Sequence, residues 1–573
     1  MSEPAEAIIT AGLRPELFTE PGQRPFGRWF LVTTIAVLIL SGFGFRIAGL
    51  SAEGLSDDEL NKLYAVTEYR AHGLTSINSE HPLLMKALLT FSLVAAEKWN
   101  ATALVAAHTA RLRVPVEAAL RLPNALFGAL TALLIYLIAA ELFGTEVGLI
   151  AAALWAFDPS AIGFNRIVKE DTLLLFFFLL ANLFWLRSQR IAESEPGRNP
   201  EPYYWAAAVA YGAMVASKYV PFLITASISY YYIFQGIATV RWRLGKRRLL
   251  IFFVVMGASF LLFNPTILLP GTWHQMFAMA SGKRVGHDGY EFMGKLYPNQ
   301  MMDWFKGTPW YFYFVFIGVK LPLPTLAAFL AGLPLLFRRR AGEGRYFLFF
   351  WAFYAFGPFM LAGSKFTRYF TPTLPIVLIT AAIGVQFVGR LVARKCAALF
   401  TDQGVKVYAR ACVALLVILS SAWASTRAAP HYRLYTNMLG GGRESGAGHF
   451  FPHDEFYDAS IREVMLEIAG RGLRAGARVV SETPNLTAYY AQQANRPDLV
   501  SVSLSDPASF TELSEGDFVI DARGRRYFSN DALLSGLRRS TAPAFRVSLG
   551  GVPSVDVYVL DQTSLATVKS FAR

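Results

Sequence analysis

The sequence predicts a polytopic α-helical membrane protein of about eleven to twelve transmembrane helices, followed by a C-terminal extracytoplasmic α/β domain. Three observations carry this. Hydrophobic residues make up 54% of the 573 residues and charged residues only 17%, against about 25% charged in a soluble domain. The apolar residues gather in runs close to the ~20 residues that a bilayer crossing needs. The net charge of +13 is unevenly spread: residues 427–573 hold 16 basic and 16 acidic groups, so the excess lies in the hydrophobic part. Such a composition fits neither an ordinary cytosolic enzyme nor a disordered chain. Its positive charge sits largely in short loops, where it reads as membrane topology and gives no reason to expect a nucleic-acid partner.

Residues 1–27 are polar and lack the layout of a cleaved signal peptide, so the first span, near 29–49, is expected to be a retained anchor. Ten further spans are expected near 121–140, 147–163, 172–186, 203–217, 219–235, 249–263, 310–337, 346–363, 371–388 and 407–425. Basic residues follow the spans ending at 235, 337 and 388: Arg241 to Arg248, Arg338 to Arg345, and Arg390 to Lys406. Those segments read as cytoplasmic. Counting from them puts 50–120, 264–308, 364–370 and 427–573 outside. The segment 82–98 carries Lys86 and Glu97 and is expected to lie at the membrane surface or re-enter; a full twelfth span is the alternative. The chain therefore divides into a cytoplasmic segment 1–27, a membrane domain 28–426 with outer loops 50–120 and 264–308, and an outer domain 427–573. In that domain Ala477–Ser481, Val500–Leu504, Asp517–Asp521 and Val555–Leu560 alternate as short strands, with helices near 456–470 and 485–494. Cys396 and Cys412 fall at or near the cytoplasmic side, where a disulfide is disfavoured.

Charge in the outer regions marks the candidate chemistry. Asp57, Asp58 and Glu59 follow the first span closely, and such carboxylates serve as a general base or bind a metal ion. A solvated loop with Ser56 capping a helix explains them equally. Pro82 is placed to start a helix, with Glu80 and His81 at its mouth and Lys86 one turn in. Arg166, Lys169, Glu170 and Asp171 fall where the chain should enter the bilayer, and charge there is costly unless it is functional or paired between helices. Lys218, Lys320, Lys365 and Arg368, with Tyr369, add outward cations. Together they suit a lipid phosphate, although ordinary headgroup contacts would use the same residues. The 264–308 loop adds His287 among aromatics, without spacing that defines a metal site. Neither a Walker A nor a Rossmann glycine motif occurs in a supporting context, so a nucleotide-driven pump is not indicated.

These residues resemble the polytopic glycosyltransferases of the GT-C fold that use lipid-phosphate sugars. The likeness is greatest to the protein O-mannosyltransferase family and its bacterial relatives, and more distant to the aminoarabinose lipid A transferases. It begins at Asp58-Glu59 and continues at Glu80-His81-Pro82-Leu83-Leu84-Met85-Lys86, which is similar to a His-Pro-Pro-Leu-Gly-Lys segment with Leu83 and Met85 as departures. Arg121-Leu122-Pro123, Asp158-Pro159-Ser160, Arg166 to Asp171, Lys218-Tyr219, the Gly286-His287 region, Pro309-Trp310-Tyr311 and Lys320-Leu321-Pro322-Leu323-Pro324 follow in order. The likeness spans roughly residues 25–425.

The resemblance implies an inverting transferase in a bacterial inner membrane. It would move a sugar from a polyprenyl-phosphate donor to a hydroxyl of a protein, lipid or glycan acceptor. Asp58 would be the base, with Asp57 as fallback and Glu59 and Asp171 beside it. Arg166, Lys218, Lys365 and Arg368 would meet the donor phosphate. Glu80, His81, Lys86, His287 and Tyr369 would orient substrates. No cofactor is certain, and a divalent metal is left open because relatives differ. A transporter or flippase of an anionic lipid-linked substrate is the rival reading; no internal repeat of the hydropathy pattern supports it.

Overall fold

The computed structural model describes residues 27–107, 112–194, 197–234, 246–281, 287–399, 403–471 and 474–572. The expected cytoplasmic segment 1–26, the basic run Arg241 to Gly245 and the residues Lys283 to Gly286 lie outside them.

The N-terminal part is a succession of helices, most of them apolar. They are α1 (Arg28–Ile47), α2 (Asp57–His72), α3 (Leu83–Asn100), α4 (Val116–Phe143), α5 (Thr145–Phe157), α6 (Pro159–Phe164), α7 (Asp171–Ser194), α8 (Glu201–Ser217), α9 (Ile224–Phe234), α10 (Lys246–Phe263) and α11 (Pro270–Ser281). A hairpin of β1 (Gly289–Phe292) and β2 (Lys295–Pro298) precedes α12 (Phe312–Lys320), α13 (Leu323–Leu336), α14 (Gly344–Leu361), α15 (Leu374–Leu399) and α16 (Gln403–Ala428). Among the described residues α1, α4, α7, α15 and α16 are long and apolar enough to cross a membrane. Helix α3 is not among them.

Two expected spans are broken, each at a proline. The 147–163 segment divides at Asp158, which caps α6 by accepting the Ala161 N–H at 2.8 Å. The 310–337 segment divides at Leu321-Pro322, where the extended backbone before proline stops α12. Each break leaves a buried polar side chain at a helix end, Asp158 at the first and Lys320 at the second.

The C-terminal part holds α17 (Pro452–Phe456), α18 (Ile461–Gly470), β3 (Arg478–Ser481), α19 (Pro484–Gln493), β4 (Val500–Ser503), β5 (Phe518–Ala522), α20 (Asp531–Ser540), β6 (Phe545–Leu549), β7 (Val552–Val559) and α21 (Gln562–Lys569). The strands form a mixed sheet in the order β4-β3-β5-β7-β6. β3 runs parallel to β4 and β5, while β7 is antiparallel to β5 and β6. Side chains alternate across it, as a period of two requires. Val479, Phe518, Ile520, Val555 and Val557 face one apolar cluster. Val480, Val519 and Tyr558 face another, with Leu533, Leu534 and Leu537 of α20.

The first cluster positions the site. It is shared with Leu55, Leu60 and Val66 around α2, Met85 and Leu89 of α3, and Leu120 of α4. One face of the sheet, the segment around α2, and parts of α3 and α4 therefore share a cluster. Every residue near the start of α2 is held from both sides.

Candidate active site

Helix α2 starts at Asp57 because Ser56 and Glu59 cap it reciprocally. Ser56 Oγ accepts the Glu59 N–H at 3.3 Å, and Glu59 Oε2 accepts the Ser56 N–H at 3.0 Å. The cap expected at Ser56 is thus present, and it sets Asp57 and Asp58 in the first turn, where the helix end favours negative charge. Glu59 is fully buried and has both carboxylate oxygens engaged. It receives Arg121 Nε at 3.0 Å and Nη2 at 2.6 Å, and the Val168 N–H at 3.0 Å.

Asp58 faces a different environment. Lys169 Nζ lies 2.5 Å from its Oδ2, and the Tyr457 hydroxyl donates to the same oxygen at 2.9 Å. Its side chain is 39% exposed. Oδ1 is accessible and accepts no hydrogen bond among the described residues. Desolvation pushes the Asp58 carboxyl up, but Lys169, Arg368 and Lys62 together hold it well below the usual carboxylate range. Asp57 goes the other way. Desolvation, with Asp458 and Asp58 nearby, outweighs the pull of Arg525 and Lys169 and raises it to about 6. Two adjacent carboxyls therefore differ in protonation behaviour because their neighbours differ.

The segment between α6 and α7 supplies the charges around Asp58. Lys169 pairs with Asp58, and desolvation brings its ammonium down to about 8 against that attraction. Glu170, 2% exposed, pairs with Lys62 at 3.1 Å. His81 Nδ1 is 3.7 Å from the same oxygen. Burial outweighs the attraction of Glu170 and lowers His81 to about 3, so its imidazole is neutral. Asp171 Oδ1 accepts Lys218 Nζ at 2.6 Å, while its buried Oδ2 has no hydrogen-bond partner.

The four cations expected to meet an anion are not equivalent. Arg166 donates to the carbonyls of Phe45, Arg46, Ala48 and Gly49, closing the end of α1. Lys365, 1% exposed, donates to the carbonyls of Thr308 and Ala362. Lys218 is paired with Asp171 and lies 4.7 Å above the Tyr369 ring. Arg368 is 8% exposed, and its guanidinium packs 4.2 Å from the Phe366 ring centre and 5.4 Å from that of Tyr369. Its nearest anion is Asp454 at 3.5 Å, and its Nη1 is buried without a hydrogen bond.

The remaining candidates shape the surroundings. Lys86 Nζ holds the Asn78 and His81 carbonyls at 2.5 and 2.9 Å, fixing the loop that carries His81. Glu80 accepts Asn78 Nδ2 at 2.7 Å. His287 stacks on Tyr527 at 4.1 Å and its Nε2 is 2.7 Å from Arg525 Nη1. Among the described residues no three His, Cys, Asp or Glu side chains meet as a metal-binding group. At Asp58 the place beside the carboxylate is taken by an ammonium, so these residues do not fit a divalent ion as they stand.

The fold has known counterparts. Residues 100–268 match the family model described as dolichyl-phosphate-mannose-protein mannosyltransferase. The archaeal oligosaccharyltransferase AglB of Archaeoglobus fulgidus, in complex with an inhibitory peptide and a dolichol-phosphate, superposes with a TM-score of 0.50 at 11% identity, covering 96% of this chain and 78% of that one. The chain has a GT-C-type fold. ArnT of Cupriavidus metallidurans bound to undecaprenyl phosphate gives a TM-score of 0.48 at 13% identity, covering 92% and 98%. No curated protein sequence matches the chain.

In this fold the sequence brought Asp58, Asp171, Lys218, His81 and Arg368 to notice. Lys62, Tyr457, Asp454, Asp458 and Arg525 escaped it. Lys62 reads as one charge in a solvated acidic loop, yet it is 1% exposed. The others lie in a polar tail where charges carry no signal, and two of them, Tyr457 and Asp458, are about 400 residues from the aspartates of α2 that they touch.

Proposed function

We propose that the chain is an inverting glycosyltransferase that moves a sugar from a polyprenyl-phosphate donor to an acceptor hydroxyl on the extracytoplasmic face of a bacterial inner membrane. The proposal includes eleven or twelve spans, with 50–120, 264–308 and 427–573 outside. The relation to the GT-C enzymes supports sugar transfer from a lipid phosphate. The observation that carries the reading is local: a buried guanidinium, Arg368, whose Nη1 has only a long 3.5 Å ion pair to Asp454 and no hydrogen bond among the described residues, stands in the field of an accessible carboxylate, Asp58.

In the proposed reaction the acceptor hydroxyl gives its proton to Asp58 Oδ1 and its oxygen attacks the anomeric carbon. The anomeric carbon–oxygen bond breaks, its electron pair leaves with the polyprenyl phosphate, and the anomeric centre inverts. Arg368, helped by Lys218, stabilises the leaving phosphate. A carboxylate held as low as Asp58 is a weak base at rest. Arg368 is one of the groups that hold it there. A phosphate bound at Arg368 offsets that charge, so donor binding raises the basicity of Asp58 when it is needed. Asp171 keeps Lys218 in place, and His81, Lys86 and Glu80 fix the rim.

The test uses the purified full chain with a synthetic polyprenyl-phosphate sugar, following release of polyprenyl phosphate. Asp58→Asn should remove turnover while donor binding persists. Full turnover in Asp58→Asn would end the assignment of Asp58. Movement of an intact lipid-linked sugar across a vesicle membrane, without its cleavage, would favour the transporter reading.

A further inference from the structure

The C-terminal part does more than cover the membrane helices. Tyr457 and Asp458, at the end of α17, both have left-handed backbone, with φ of 47° and 60°. This conformation is uncommon for non-glycine residues and is retained where surroundings impose it. It aims the two side chains at consecutive residues of α2. The Tyr457 hydroxyl donates to Asp58 Oδ2 at 2.9 Å, and Asp458 Oδ2 accepts the Asp57 N–H at 3.1 Å. Asp458 is in turn gripped by Arg525 through Nε at 2.6 Å and through Nη2. Arg525 also reaches Tyr527 at 3.0 Å and His287 at 2.7 Å. Asp288 accepts the N–H groups of Phe528 and Ser529 at 3.1 and 2.9 Å, tying the 264–308 loop to the same turn.

We infer that Tyr457 is a positioning residue for the base, presented by the Asp458–Arg525 pair. It fixes Asp58 by its Oδ2 so that Oδ1 is directed to the acceptor. This rests on the proposed role of Asp58 and adds to it a contribution from the C-terminal part of the chain. The hydroxyl is a neutral donor to a carboxylate, so its loss makes the carboxylate easier to protonate. Other titratable or charged groups act on Asp58 from every side: Lys62 and Asp57 on its own helix, Lys169 beside α7, Arg368 and Tyr369 on the turn before α15, and the neutral His81 and His287. Tyr457→Phe leaves all of them in place.

The test reads Asp58 directly. A carbodiimide captures protonated carboxyls, so well above the pKa its labelling rate follows the protonated fraction. With the full chain in detergent at about pH 5, labelling of Asp58 in Tyr457→Phe should rise about tenfold, the effect of one hydrogen bond to a charged group. Exposed Glu512 should label equally in both proteins, and buried Glu59 should stay unlabelled in both. Asp458→Asn should shift Asp58 labelling in the same direction, and Arg525→Lys should do so less. Unchanged Asp58 labelling in Tyr457→Phe overturns the inference, as does a rise shared by Glu59, which would report general loosening. Asp58→Asn with full turnover would end the base assignment alone, without moving this labelling result.

Discussion

Glu59 and Arg121 form a bidentate ion pair, 0% and 4% exposed at their side chains, that joins the first turn of α2 to the start of α4. Arg121 also donates to the carbonyls of Leu50, Glu53 and Gly54, so one guanidinium fixes the whole turn that leads into Asp57 and Asp58. Breaking a buried pair by removing one partner costs about 3–5 kcal/mol. Glu59→Gln should therefore lower the melting temperature of the detergent-solubilised protein by several degrees. Any turnover lost should return in proportion to the folded fraction. A variant that melts like the parent but does not turn over would instead give Glu59 a direct part in the chemistry.

The pH profile separates the two neighbouring aspartates. A base works only when deprotonated, so activity falls as pH drops through its pKa. Asp57 sits at about 6 and Asp58 well below the usual range. With Asp58 as base, kcat/KM should stay level from pH 7 down to about 5. With Asp57 as base it should fall tenfold per unit below about 6. Bound donor offsets Arg368, so the acid limb of kcat should lie above that of kcat/KM. At the other end, Lys169 loses its proton near 8. Loss of its charge removes the strongest pull on Asp58, so kcat/KM should step upward above that pH, and Lys169→Met should abolish the step.

How much of this was legible in the sequence follows from where each signal is unusual. The membrane part is readable because apolar runs are long and few other structures produce them. The strands at 478–481, 500–503, 518–522 and 552–559 lie close to the segments read as strands, since short β-branched runs between turn residues mark them. β6 carries Arg546 and Ser548 on a partly exposed edge, and the four-residue strands of the β1–β2 hairpin turn through Met293 and Gly294 with positive φ; both are too short or too polar to announce themselves. Lys169 and Asp171 stood out because charge beside a bilayer is costly. Tyr457 could not, because its role depends on a backbone conformation that no local pattern specifies.

Helices α13 and α15 cross at two glycines, and the crossing should be intolerant of any side chain. A methyl group on Gly384 would fall inside contact distance of the Ala328 carbonyl, and one on Gly332 would meet the Thr380 carbonyl. Small residues let membrane helices approach at their backbones. Overpacking typically costs about 1–3 kcal/mol, and backbone atoms cannot yield as a flexible side chain does. Gly384→Ala should lower the melting temperature, whereas Gly357→Ala on α14, with open space around it, should not. Equal melting in the two variants would show that the helices can part without loss.

The sharpest division among the outward cations is between Arg368 and Arg166. Both are buried arginines near the ends of helices, and sequence alone gives them the same role. Arg166 has its donors committed to four carbonyls, so a phosphate could reach it only by undoing the end of α1. Arg368 makes aromatic contacts and one long ion pair through Nη1, which has no hydrogen bond among the described residues. A charge-assisted hydrogen bond contributes about 1.5–3 kcal/mol, so Arg368→Ala should reduce kcat/KM for the donor by about ten- to a hundredfold with little change in melting. Arg368→Lys should recover part of it, since an ammonium supplies charge without the planar fork. Arg166→Leu should do the reverse, lowering the melting temperature while the folded fraction keeps the parent KM. If Arg166→Leu raises the donor KM and Arg368→Ala does not, the phosphate lies at the end of α1, and the coupling between donor binding and Asp58 through Arg368 falls with it.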